Sequence, residues 1–265
     1  MHSQLFQSLI LIELVIQEIL LRGPNAALMT SLRVDYWGSF EDAKTYFLKN
    51  KFYNSWDHRA LEKYLQYGLR RVPTAIYPDD HSKAVTLTTP KAQEAWSYLR
   101  PTFSPRPQDG QLDDKERMIT SDFTPVQAQY LFHRAESGVA FRLLPNVQPS
   151  VRWIFGSRSC YNGPNDREEK VSRTGASARG SGGVSSTIID GGGHLAPLEK
   201  VAETADAIAS YVEEQLEKYA SEKAFWDTYD SEKSDQNKLR LSNRWMEGVR
   251  QKSNTLRPVV GKGKL

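Results

Sequence analysis

His194 is the residue with the clearest capacity for chemistry. It follows Gly191-Gly192-Gly193, which come after a short β-branched stretch, and it precedes a helical pattern that begins near Val201. Glycines after a strand let the backbone turn sharply, so the imidazole can reach the carboxyl edge of a sheet. An imidazole also takes up and returns a proton near neutral pH. The pattern therefore predicts a general-base histidine, and a histidine that caps the following helix or is buried in a turn is the alternative.

Two carboxylates could orient the imidazole of His194. Asp166 lies some way beyond the apolar stretch that ends at Gly156, and no carboxylate falls in the short turn itself. Glu13 directly follows the apolar stretch that ends at Ile12. A carboxylate that closes a buried strand needs a partner, because burying an unpaired charge is costly. A protonated histidine would be such a partner, and a glutamate exposed at the strand tip is the alternative.

The sequence lacks an evident nucleophile. A serine nucleophile at a strand–turn–helix elbow needs the pattern G-x-S-x-G. The nearest strings, GSRSC at 156–160 and GASAR at 175–179, have no second glycine. Cys160 is the only cysteine, which excludes an internal disulfide and fits a reducing compartment. It is a weak nucleophile candidate, because no histidine is near it in sequence and a lone cysteine is more often inert packing.

Composition and spacing argue against several other classes of function. The net charge of +3 comes from Lys and Arg interleaved with Asp and Glu, without the basic stripe typical of nucleic-acid binding. The five histidines have no metal-ligand spacing, and the three glycines before His194 lack the Lys-Ser/Thr of a phosphate loop, so no metal or cofactor is predicted. The apolar stretch 5–21 is short and interrupted by Glu13 and Glu18, which argues against a membrane span or signal peptide and favours a soluble protein.

Three apolar stretches predict the strands of an α/β fold. Residues 7–12 are continuous and β-branched, as expected of a strand that is covered on both faces of a parallel sheet. Residues 151–155 and 187–189 are the other two stretches. After His194, apolar residues recur at three- and four-residue steps over 201–219, which predicts an amphipathic helix.

The segment between the first two strands has a helical pattern. Ser39 and Asp57 are placed to cap helices, Thr89-Pro90 can open a third helix, and residues 125–137 predict a fourth. An all-helical insertion between strands is typical of a cap domain. The predicted organisation is a core strand and connection at 1–21, a helical cap at 22–148, the C-terminal part of an α/β core at 149–220, and a charged tail at 221–265.

The chain resembles a group of fungal α/β-hydrolase proteins, in particular those of the AK-toxin type biosynthetic clusters of plant-pathogenic fungi. The strings that carry the resemblance are LFQSLILIE, FYNSWDHRALEKYLQYGLR, VPTAIYPDD, VTLTTPKAQEAWSYLRP, VRWIFGSRS and GGGHLAPLEKVAETADAIASYV. The resemblance covers nearly the whole chain. It implies the C-terminal portion of an α/β-hydrolase fold with a helical cap insertion. It also implies a peroxisomal protein with a role in pathogenicity. Such a protein would act on an epoxy-decatrienoic-acid type intermediate, as its ester, thioester or epoxide.

In full-length relatives of this type, a G-x-S-x-G segment and the first half of the sheet precede the position of residues 2–5. The resemblance therefore implies an N-terminally truncated hydrolase and leaves three hypotheses open. The first is an enzyme with His194 as base and Glu13 or Asp166 as the orienting acid. The second is a catalytically incomplete remnant that binds a ligand or a partner protein in the peroxisome. The third is that the predicted start of the chain is wrong and that the true protein is longer.

The chain ends in Gly263-Lys264-Leu265, a near match to the Ser-Lys-Leu peroxisomal address. This match predicts a peroxisomal location and an import receptor as partner, in addition to a small-molecule acyl substrate.

Aromatic side chains of the cap could line the pocket for that acyl substrate, and packing in the core of the cap is the alternative for each of them. The candidates are Trp37, Tyr46, Phe47, Trp56 and Trp96.

Overall fold

A computed structural model shows two compact units, Met1–Glu213 and Glu214–Leu265. The structure describes residues 6–18, 25–80, 82–103, 114–121, 123, 127, 130–176, 183–231, 233–251 and 256.

The core of the first unit is a parallel sheet of three strands. These are β1 (Ser8–Ile12), β7 (Ser150–Gly156) and β8 (Val184–Ile189), arranged in the order β1-β7-β8. The three predicted core strands are therefore confirmed, with β8 starting three residues earlier than its pattern indicated. Because parallel strands end at the same edge, the chain that leaves each of them emerges on one side of the sheet.

The central strand β7 is buried on both faces. Val151, Trp153, Ile154 and Phe155 are fully buried, which explains why the strand reads as an unbroken apolar run rather than an alternating one. The rings of Trp153 and Phe155 stack at a centroid distance of 5.4 Å. The carboxyl end of β7 therefore lies at the sheet edge where the polar residues of the candidate site are found.

The predicted helix starts in the inserted segment are mostly confirmed. Ser39 caps α2, where its hydroxyl accepts a hydrogen bond from the amide of Asp42 at 3.1 Å, and Asp57 caps α3. Pro90 directly precedes α4, whereas the helix predicted at 125–137 starts only at Ala135, and residues 125–126 and 128–129 of that stretch lie outside the described residues. The helices are α1 (Ala26–Leu32), α2 (Phe40–Lys49), α3 (His58–Tyr67), α4 (Lys91–Tyr98), α5 (Asp114–Ile119) and α6 (Ala135–Leu143).

The inserted segment is not purely helical, because it also contains short antiparallel strands. Strands β2, β4 and β3 form one sheet in that order, and β5 pairs with β6. Each strand has only two or three residues, too few for an alternating pattern to be recognised in the sequence. The strands are β2 (Tyr36–Trp37), β3 (Leu69–Arg71), β4 (Val85–Leu87), β5 (Arg100–Pro101) and β6 (Phe132–His133).

Most of the aromatic residues proposed for an acyl pocket form the core of the inserted segment instead. Phe47 is completely buried and lies among the rings of Trp37 and Tyr46, at centroid distances of 5.3 Å from each. Trp56 packs against the same cluster, whereas Trp96 is 67% exposed. The packing alternative therefore holds for the first four.

Helices follow each of the last two core strands. They are α7 (Pro164–Arg173), α8 (Ala196–Glu199) and α9 (Val201–Ser231). Helix α9 begins at the predicted residue and continues beyond residue 219, but Val212, Leu216 and Tyr219 of the predicted apolar stripe are exposed. The second unit also contains α10 (Asp235–Leu239) and α11 (Asn243–Gly248), which are capped by Ser234 and Ser242. No helix within the described ranges combines the length and the apolar character needed to cross a membrane.

Candidate active site

His194 lies at the carboxyl edge of the core sheet, five residues after β8 ends. The turn that carries it is built on Gly191, whose φ of +67° lies in the left-handed region that glycine adopts without strain. The amide of Gly193 donates a hydrogen bond to the carboxylate of Glu199 at 2.5 Å, which ties the turn to α8. The His194 side chain is 31% exposed, so the ring is partly accessible to solvent.

Glu13 lies at the same edge, directly after β1. Its Oε2 atom is 3.2 Å from Nδ1 of His194, and the residue is only 4% exposed. Its backbone amide donates to the carbonyl of Ile154 at 2.9 Å, so the sheet holds the residue in place. Its φ of +47° is in the left-handed region, which costs a non-glycine residue about 1–3 kcal/mol. The backbone therefore turns sharply at the point where the carboxylate reaches the histidine.

Both oxygens of the Glu13 carboxylate are occupied by donors. Oε1 accepts a hydrogen bond from the amide of Gly156 at 2.6 Å. Oε2 accepts from the hydroxyl of Ser159 at 2.6 Å and from the amide group of Asn162 at 2.9 Å. Burial raises the pKa of Glu13, but the hydrogen bonds from His194 and these three residues outweigh burial, so that its pKa lies below the ordinary value of 4.5. Glu13 is therefore held as a carboxylate.

The lowered pKa of Glu13 predicts an acid-dependent loss of stability. A carboxyl whose pKa is lower in the folded state stabilises the fold above the pKa of the unfolded chain, and that contribution disappears as the pH falls through the folded-state pKa. The free energy of unfolding, measured by urea titration at several pH values below 4.5, should therefore fall more steeply for the wild type than for Glu13→Gln. Parallel curves for the two proteins would show that Glu13 is not stabilised as an anion.

The loops after β7 and β8 are joined by backbone hydrogen bonds. The amide of Ser157 donates to the carbonyl of Ile189 at 2.9 Å, and the amide of Arg158 donates to the carbonyl of Gly192 at 2.8 Å. The Arg158 guanidinium also binds the carbonyl of Gly191. A Cβ atom on Gly156 would overlap the carbonyl oxygens of Gly192 and Gly193. The His194 turn is thus packed directly on the backbone of the strand that supplies a donor to Glu13.

The structure brings together His194 and Glu13, but it places Asp166 elsewhere. Asp166 accepts a hydrogen bond from the amide of Gly163 at 3.1 Å and so caps the start of α7. An aspartate at the third position of a helix commonly binds the free amides at the helix start. The sequence does not distinguish this local role from that of an orienting acid, and so it left both candidates open.

The near-matches to a nucleophile motif are also placed away from that role. Ser159 donates its hydroxyl to Glu13. Cys160 is exposed, and partial desolvation together with the charges of Glu13 and Glu199 raises the pKa of its thiol, which disfavours a thiolate nucleophile. Ser177, in the second string, lies outside the described residues, as do the predicted targeting residues Gly263, Lys264 and Leu265.

Sequence reasoning missed several residues that surround the pair. The ring of Tyr161 contacts that of His194 edge to face at a centroid distance of 4.6 Å, and Gln17 donates to the Tyr161 carbonyl at 2.9 Å. Asn162 was also missed, and the bond from Ser159 to Glu13 was not foreseen, because a neutral side chain in a loop carries no pattern of its own. The amide of Asp57 donates to the carbonyl of Leu198 at 2.8 Å, which joins the start of α3 to the segment after the histidine.

The arrangement can do acid–base chemistry. Nδ1 of His194 faces a buried carboxylate that can only accept a hydrogen bond. A neutral ring with its proton on Nδ1 would donate to Glu13 and would leave the lone pair of Nε2 available as a base. The described residues contain no group of three or more His, Cys, Asp or Glu side chains that could hold a metal ion.

Comparison with known proteins supports an α/β-hydrolase relationship, although no protein-family model matches the chain. It is 28% identical to "Type I acyl-CoA thioesterase mpaH" of Penicillium roqueforti over 92% of this chain and 61% of that protein. It is 25% identical to "Abhydrolase domain-containing protein AFT2-1" of Alternaria alternata over 70% of this chain and 64% of that protein. The crystal structure of the peroxisomal α/β-hydrolase Lpx1 of Saccharomyces cerevisiae superposes with a TM-score of 0.50 and 14% identity, covering 94% of this chain and 54% of Lpx1.

The chain thus spans about three fifths of the length of the curated relatives that it matches. The predicted α/β-hydrolase fold and the predicted resemblance to fungal abhydrolase proteins are confirmed. The chain is similar in sequence to fungal α/β-hydrolase proteins and has the α/β-hydrolase fold.

Proposed function

We propose that this protein supplies the acid–base half of an acyl hydrolase in fungal secondary metabolism. The observation that carries the proposal is the 3.2 Å contact between the buried Glu13 carboxylate and Nδ1 of His194 at the carboxyl edge of the sheet. The bond cleaved is an ester, a thioester or an epoxide of a decatrienoic-acid-type intermediate of a host-selective toxin pathway. A thioester is the first choice, because relatives in Penicillium are named acyl-CoA thioesterases.

In this proposal His194 moves the proton. Its Nε2 takes a proton from the attacking hydroxyl or water, and returns it to the sulfur of the departing thiol, so that an acyl thioester and water give an acid and a thiol. Glu13 keeps the proton of the neutral ring on Nδ1 and stabilises the imidazolium that forms between the two transfers. Ser159, Asn162 and the amide of Gly156 keep that carboxylate in place.

The outer edge of β1 is the place where a nucleophile would fit. Within the described ranges, β1 pairs with β7 alone. A further parallel strand on that edge would end beside Glu13 and His194, because parallel strands end together. A serine at the end of such a strand would lie within reach of Nε2, in the chain order in which the nucleophile precedes the acid and the base.

A peroxisomal location is part of the proposal. It is supported by the Gly263-Lys264-Leu265 terminus, which an import receptor would read, and by the peroxisomal origin of the structural neighbour Lpx1.

Thioester hydrolysis by purified protein tests the proposed activity. A decatrienoyl-CoA thioester, the simple ester of the same acid and its epoxide are compared by product release. The protein of residues 1–265 and the product of the complete transcript are both assayed. We expect thioester cleavage and a loss of about 10²- to 10⁴-fold in kcat/KM for His194→Ala. His58→Ala is the matched control, because that imidazole is 88% exposed. Hydrolysis that His194→Ala leaves unchanged would refute the proposed role.

The alternative is a catalytically incomplete remnant that acts as a ligand-binding or partner protein in the peroxisome. It is favoured by the lack of a G-x-S-x-G string in the sequence. A fluorophosphonate probe separates the two functions, since labelling of a serine contradicts the remnant, whereas tight binding of the acyl thioester without turnover or labelling supports it.

A further inference from the structure

We propose that Lys170 is a positioning residue that holds Glu13 against His194 through Asn162. The inference rests on the proposed acid–base role of the pair and adds to it a side chain that touches neither His194 nor a substrate. Lys170 is on α7 and is only 1% exposed, although its side chain ends in an ammonium group. A buried ammonium is costly unless its hydrogen bonds are made.

Lys170 contacts two neighbours of Glu13. Its Nζ donates to the carbonyl of Leu14, the residue that follows Glu13 in the chain, at 3.1 Å. Its Nζ also donates to the side-chain oxygen of Asn162, and the amide nitrogen of Asn162 donates to Oε2 of Glu13 at 2.9 Å. That oxygen is the one that meets Nδ1 of His194. A continuous chain of contacts therefore runs from Lys170 to the imidazole.

The identity of each residue in this chain follows from its donors and acceptors. An ammonium can only donate and a carboxylate can only accept, so the residue between them needs an acceptor on one side and a donor on the other. The fully buried amide of Asn162 meets both needs, and the ammonium fixes which way it points. Without that ammonium, the amide could turn its oxygen toward Glu13 and repel it.

The charge of Lys170 also acts on the site. Burial lowers the pKa of Lys170 to about 8, against the opposing charges of Asp166, Glu13 and Glu169. The carboxylate of Glu13 is thus part of what keeps the ammonium charged, and the ammonium in turn favours the anionic form of Glu13.

Replacing Lys170 should move the ring proton of His194 from Nδ1 toward Nε2, although neither Glu13 nor His194 is substituted. The measurement is the fraction of the neutral His194 ring protonated on Nδ1, read from ¹⁵N NMR of histidine-labelled residues 1–265. We expect Lys170→Met to lower that fraction, and Lys170→Gln, which retains a neutral donor, to give an intermediate value. Lys44→Met, an exposed lysine on α2, is the control and should match the wild type. Where turnover is measured, kcat should fall about 10- to 100-fold in Lys170→Met with KM little changed.

An Nδ1–H fraction equal to that of the wild type in folded Lys170→Met would overturn the proposal. If that variant does not fold by circular dichroism, the decision passes to Lys170→Gln, for which an unchanged fraction has the same meaning. The readout does not require catalysis. Absence of hydrolase activity in the product of the complete transcript would refute the proposed function, whereas the NMR comparison would still decide the role of Lys170.

Discussion

Gly156→Ala should destabilise the first unit and disrupt the acid–base pair together. The added Cβ would overlap the carbonyl oxygens of Gly192 and Gly193, which belong to backbone that cannot rotate away as a side chain would. Forcing a methyl group into a packed site costs about 1–3 kcal/mol. The amide of Gly156 also donates to Glu13 at 2.6 Å. Backbone movement that relieves the overlap would therefore move either this amide or the His194 turn away from the Glu13 carboxylate. Urea unfolding and the His194 NMR signal measure the two effects.

Gly183→Ala provides the control for this substitution. Gly183 directly precedes β8 in the same sheet, and a Cβ there would meet no atom within 4 Å. It should unfold close to the wild-type midpoint and keep the His194 signal. Equal stability of Gly156→Ala and Gly183→Ala would contradict the close packing of the two loops.

Glu13→Gln should cause the largest loss of turnover among substitutions that leave His194 intact. A glutamine can direct its NH₂ group at Nδ1, which would place the ring proton on Nε2, where it blocks the base. The same NH₂ group would also oppose the donors of Ser159 and Asn162. A base locked in the wrong tautomer loses about 10³- to 10⁴-fold in kcat. The measurement is steady-state hydrolysis of the acyl thioester at pH 7.

Asp166→Asn is the comparison that distinguishes the two candidate acids. Its carboxylate accepts from the amide of Gly163 at the start of α7, and its charge helps to keep Lys170 protonated. Its loss should therefore weaken that helix start and lower turnover far less than Glu13→Gln does. The opposite ranking, with Asp166→Asn inactive and Glu13→Gln active, would transfer the orienting role to Asp166 and refute the assignment made from the structure.

Local sequence patterns predicted much of the fold. The strands at 8–12 and 150–156 are continuous apolar runs, and Ser39 and Asp57 carry the side-chain oxygens that helix starts require. The short strands β2 to β6 were missed, because pairs of two or three residues are set by contacts distant in sequence. The aromatic residues of the cap were ambiguous for the same reason, since pocket walls and packed cores use the same side chains.

The candidate site was predictable where a residue type was out of place in its surroundings. Glu13 stood out as a carboxylate at the end of an apolar strand, and His194 stood out after three glycines. Their 3.2 Å contact joins residues that are 181 positions apart. Asn162 and Lys170 could not be identified in this way, because an asparagine in a loop and a lysine in a charged helix are ordinary in sequence. Only the burial of both by the fold makes them unusual.

The tautomer of His194 in the wild-type protein tests the central claim most directly. Histidine-labelled protein is studied by ¹⁵N NMR above the pH at which the ring loses its charge. Hydrogen bonding of Nδ1–H to Glu13 should give a ring protonated on Nδ1, with a far-downfield N–H proton that disappears in Glu13→Gln. A His194 ring protonated on Nε2, with Glu13 intact, would leave no lone pair on Nε2 to accept a proton and would contradict the proposed acid–base pair.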